Sequence, residues 1–111
     1  MQVWGVTDIG LVRKENQDAY LVRESGGHTI CVVCDGMGGA AGGRLASQIA
    51  TETFVDELER LLAPGMEPEQ LLSVSARAVF AANQAVREAA AESEAYQNMG
   101  TTLVAAVSYA G

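Results

Sequence analysis

A chain of 111 residues, 49% hydrophobic and 19% charged, carries enough apolar material for one packed core and too little length for two domains. Fourteen Asp and Glu against seven Lys and Arg give a net charge of −7, which excludes a basic surface for a nucleic-acid backbone. No apolar run approaches the roughly 18 residues of a membrane span, and the opening MQVWGVTD lacks the basic and apolar regions of a secretory signal, so a cytoplasmic setting with no membrane partner is expected.

The first third reads as β-structure. Val3–Asp8 and Ala19–Glu24 are short runs rich in β-branched and aromatic residues, and the polar cluster Thr7-Asp8-x-Gly10-x-x-Arg13-x-x-Asn16-Gln17-Asp18 between them reads as a loop of turn formers. Ser25-Gly26-Gly27 is a hairpin-type turn signal, with His28 expected at the surface beside it. The apolar run Thr29–Cys34 then predicts a strand buried on both faces. Cys31 and Cys34 sit inside that run at i and i+3, so they point to opposite faces and read as two small core residues rather than a bridge. A single histidine and no second cysteine pair argue against zinc. The strand ends at Asp35, followed by GMGGAAGG.

The middle is helical. Leu45, Ile49, Phe54, Leu58 and Leu61 follow a 3.6-residue period over Arg44–Leu62. Ala63-Pro64-Gly65 stops that helix, and Pro68 is suited to the first position of a second one running to about Ser93. Its apolar face is expected to use Leu71, Leu72, Val79, Phe80 and Val86, with alanines at close contacts. Nine acids against three bases fall between Glu52 and Glu94, so the two helices carry most of the negative charge on solvated faces. A last, mostly apolar strand is expected over Thr101–Tyr109. The whole reads as an α+β chain of order β-β-β-α-α-β. Its modest core and its uncovered last strand are those of a larger domain cut partway, and an uncovered strand recruits another chain, so self-association is expected.

Three clusters could carry chemistry: the polar loop ending at Asp18, the segment Cys34-Asp35-Gly36-Met37-Gly38-Gly39, and Met99-Gly100-Thr101-Thr102. A carboxylate on a rigid strand is held still, and a glycine after it lets a ligand approach the main chain. The glycines also match a loose G-x-G-x-x-A dinucleotide pattern at Gly36, Gly38 and Ala41. Asp35 would then set a negative charge beside the pyrophosphate, and the alternation of a doubly wound sheet is missing. A P-loop is excluded because no Lys-Ser or Lys-Thr follows the glycines.

Taken together, TDIGLVRKENQD, VVCDGMGG and MGTTLVAA resemble, in order and spacing, the bacterial branch of the metal-dependent protein phosphatases, the protein phosphatase 2C family. The resemblance covers nearly the whole chain and implies the N-terminal half of an α-β-β-α sandwich. It implies a serine/threonine phosphatase that uses two divalent cations, Mn²⁺ or Mg²⁺, and a metal-bridging hydroxide to hydrolyse phosphoserine and phosphothreonine in proteins, opposing a Ser/Thr kinase. Asp35 matches the aspartate shared by both metals, the Gly36 carbonyl matches a ligand to one of them, Asp18 matches an acid holding metal-bound water, and Arg13 matches the arginine that clamps the substrate phosphate. Two departures stand out: Gln17 where many members have Glu, and Met37 where some carry a histidine. The later family motifs, with further metal-ligand aspartates, do not occur in residues 1–111, so the isolated chain is expected to be weakly active or inactive. The alternative is a non-catalytic relative that keeps the fold as a regulatory or binding module.

Overall fold

The computed structural model describes residues 18–109. The expected strand Val3–Asp8 and the loop residues through Gln17, Arg13 among them, lie outside the described residues. Within them the order is β1 (Asp18–Ser25), β2 (His28–Met37), α1 (Ala40–Leu61), α2 (Pro68–Ala91), a 3₁₀ turn at Glu94–Tyr96, β3 (Gly100–Thr101) and β4 (Val104–Tyr109). All strands are antiparallel. β2 is central, with β1 on one side and β3 and β4 on the other.

The β1–β2 hairpin closes on Ser25 opposite His28 through Gly26 and Gly27, whose φ angles of 58° and 84° are those a tight right-twisted turn requires. Alternation then assigns the faces of β2. His28, Ile30, Val32, Cys34 and Gly36 are buried on the side covered by α1, while Thr29, Cys31, Val33 and Asp35 are half-buried on the open side. The expectation that Thr29–Cys34 is buried on both faces is not met: among the described residues helices cover one face, so Cys31 is half-buried and Cys34 fully buried, both outside any disulfide. His28, expected at the surface, is 2% exposed because it is the first inward residue of the central strand.

α1 starts at Ala40, four residues earlier than its apolar period suggests. Gly42 and Gly43 therefore lie inside the helix, and Gly39, at φ 86°, stands at its N-cap. Phe54, Val55 and Leu58 fill the core with Ile30 and Val32. α2 begins as its sequence suggests, with Pro68 in the first turn and a reciprocal cap in which the Glu67 N–H donates to Gln70 Oε1 at 2.8 Å. Its buried face agrees with the expected one at Val86 and at the alanines and departs from it at Leu72, Val79 and Phe80. Val74, Ala78, Ala82 and Val86 face inward, whereas Leu72 and Phe80 are 74% and 65% exposed. Ala78 and Ala82 belong to the same buried cluster as Ala46 and Ala50 of α1, and small side chains of this kind suit closely packed helices.

Candidate functional site

β1 and β2 bring the two sequence-singled aspartates together. Asp18 is directly opposite Asp35 in the ladder, so both side chains project from the open face of the sheet. The main-chain groups of Asp35 bond to the other neighbour, so the two aspartates form a non-hydrogen-bonded pair, the type in which Cα atoms approach to about 4.5 Å. Both residues are half-buried, and Oδ1 of Asp35 is shielded from solvent. Like charges set directly opposite destabilise an antiparallel pair.

The donor chemistry is that of a hard cation: two carboxylates, with the Gly36 main chain next to them. Mg²⁺ is commonly held through one or two carboxylates with waters and substrate phosphates completing its shell. Among the described residues no group of three or more His, Cys, Asp or Glu could hold a metal ion. Asp18, Asp35 and Gly36 therefore fit part of such a centre. β2 runs two residues past Asp35, so its main chain is braced beyond Asp35 and the residue does not sit at a strand tip.

The third sequence cluster supplies that brace. Gly36 pairs with Thr101 and Met37 with Gly100. Val33 pairs with Val104, so the register is the same on both sides of Thr102 and Leu103, where the ladder is interrupted. At the interruption the Asp35 N–H donates to the Thr102 hydroxyl oxygen at 3.2 Å, and the Thr102 N–H donates to the Asp35 carbonyl at 3.0 Å. The Thr101 hydroxyl in turn donates to the Thr102 carbonyl at 2.8 Å. Sequence reasoning had given these threonines no role; two hydroxyl residues opening a strand after Met99-Gly100 were the available signal.

Glycine explains why this segment can reach the site. Gly38, at φ 106°, lies so close to Met99 that a Cβ would stand 2.5 Å from the Met99 Cα and 2.7 Å from the Asn98 carbonyl oxygen. Met99 is buried in the core beside it. Next to Asp35, burial pushes the Cys34 thiol up to about 11, with the Thr101 side chain opposing. Away from the site, Arg23 of β1 pairs with Glu59 at 2.5 Å and Asp56 at 3.2 Å on α1, tying the hairpin to the helix that covers it.

Comparison with known proteins gives a consistent result. The chain is 33% identical to the Mycobacterium tuberculosis serine/threonine phosphatase PstP/Ppp over 90% of its length, with a TM-score of 0.71. It is 30% identical to the Staphylococcus aureus serine/threonine phosphatase Stp1 over 94% of its length, at 0.78, and 28% identical to the S. agalactiae serine/threonine phosphatase over 95%, at 0.72. It spans 39%, 41% and 43% of those three chains, respectively, less than half of each. Residues 12–111 match the protein phosphatase 2C family, and on that match the chain belongs to it.

Proposed function

We propose that residues 1–111 are the N-terminal part of one catalytic domain of a metal-dependent phosphatase acting on phosphoserine and phosphothreonine in proteins. The observation that carries this reading is the in-register opposition of Asp18 and Asp35 on the open face of the sheet. Asp35 and Asp18 would hold the cations, Mn²⁺ or Mg²⁺, with the Gly36 carbonyl as a neighbouring ligand. When bound, such cations supply an activated water and neutralise charge on the phosphoryl oxygens.

The chain's own residues orient and hold. β2 fixes the Asp35 carboxylate between two rigid neighbours, and Asp18 approaches it from the paired strand. Arg13, five residues before Asp18 in sequence, would donate a fork of N–H groups to the substrate phosphate and hold it for in-line attack. The partners implied are phosphorylated proteins in a bacterial cytoplasm, opposite a Ser/Thr kinase.

An assay of the chain with p-nitrophenyl phosphate and Mn²⁺, run beside equilibrium dialysis of Mn²⁺, tests the proposal. Measurable Mn²⁺ binding that is lost in Asp35→Asn, with turnover far below that of a relative of full length, is expected. Binding unchanged in both Asp35→Asn and Asp18→Asn would contradict it and favour a non-catalytic module.

A further inference from the structure

The interrupted ladder opposite Asp35 has a chemical consequence. In an unbroken antiparallel pair the Asp35 N–H would bond the main-chain carbonyl of residue 102. Here that carbonyl accepts from the Thr101 hydroxyl, and the Asp35 N–H turns to the Thr102 hydroxyl instead. Because the register is unchanged on either side, no inserted residue explains the break. Both main-chain groups of Asp35 on this edge thus depend on one residue, through one side-chain and one main-chain bond.

We propose that Thr101 and Thr102 act as a two-residue clasp that locks the main chain of Asp35 and so aims its carboxylate across at Asp18. Both are positioning residues; neither needs to touch substrate. The inference rests on the cation reading for its purpose but on the hydrogen bonds alone for its existence. The clasp has a specific chemical requirement. Serine supplies the same hydroxyl, whereas valine matches threonine in shape and puts a methyl group in the hydroxyl's place.

The test compares Thr102→Val and Thr102→Ser in the full chain, reading amide hydrogen exchange at Asp35 and the Mn²⁺ concentration that broadens the Asp35 amide resonance. In Thr102→Val, exchange at Asp35 should quicken about fivefold, the equivalent of one net hydrogen bond, while the amides of Ile30 and Val32 keep their protection. The Mn²⁺ concentration required should rise about tenfold, the lower range for losing a group that orients a ligand. Thr102→Ser should restore both to near the parent values. Unchanged exchange in Thr102→Val, or Thr102→Ser behaving like Thr102→Val, would overturn the clasp. If the parent chain shows no Mn²⁺ broadening at Asp35, the cation reading fails by itself, and the exchange comparison still decides the clasp in either direction.

Discussion

Cys34 sits one residue from the paired aspartates, and its chemistry follows from its side of the strand. Its thiol is fully buried under α1, and burial raises its pKa from 9.0 to about 11. The folded chain therefore holds that proton more tightly than the unfolded chain. The resulting stability is fully present below pH 9 and is lost as pH rises through about 11, amounting to roughly 2–3 kcal/mol. Thermal melts of the parent and Cys34→Ala across pH 8 to 11 should show the parent losing its advantage over that interval; parallel curves would count against it. At this scale Asp35 was legible, since an acid between a strand and glycines is unusual in a plain turn. His28 was not. A histidine beside two glycines reads as polar turn, and its burial comes from being first on the inward face of β2, a tertiary fact.

At the scale of elements, the hairpin, both helices and the last strand were legible because each has a local cause: Gly-Gly at the turn, apolar periodicity, and Pro68 at a helix start. What the pattern misplaced on α2 was Leu72, Val79 and Phe80, while Val86 and the alanines lie where it put them. Large residues dominate a reading by hydrophobicity, yet the helix–helix contact is made by Val74, Ala78, Ala82 and Val86, a four-residue spacing of small groups. Ala78→Leu should therefore cost about 1–3 kcal/mol by overpacking, whereas Phe80→Ser should stay within about 0.5 kcal/mol, both measured by urea unfolding. The reverse ranking would restore the sequence-based face. The break between β3 and β4 was also invisible in sequence, because the register continues through it and only the hydrogen bonds of Thr101 and Thr102 reveal it.

Among the described residues, the decisive feature at the largest scale is a sheet whose helices lie on one side. α1 covers β1 and β2, and α2 packs on α1 rather than on β4, leaving a cavity of about 600 Å³ lined in part by Ala82, Val86, Met99 and Leu103. On the opposite face Tyr20, Val22, Met37 and Val104 are exposed, Val104 at 70%, and Tyr20 and Val104 both flank Val33. Such a patch favours contact with a second copy, and sedimentation velocity should show concentration-dependent association that Val104→Lys reduces. A monomer at all concentrations would contradict this. Among the described residues no helix is long and apolar enough to cross a membrane.

The proposed seat of a divalent cation is the Asp18–Asp35 pair, and titrating the ¹⁵N resonances of the chain with Mn²⁺ reads its occupancy residue by residue. Broadening should begin at Asp18, Asp35 and Gly36 and vanish from those positions in Asp35→Asn. Broadening that instead begins along the acidic helices, around Glu52 and Asp56, and persists in Asp35→Asn would contradict the account.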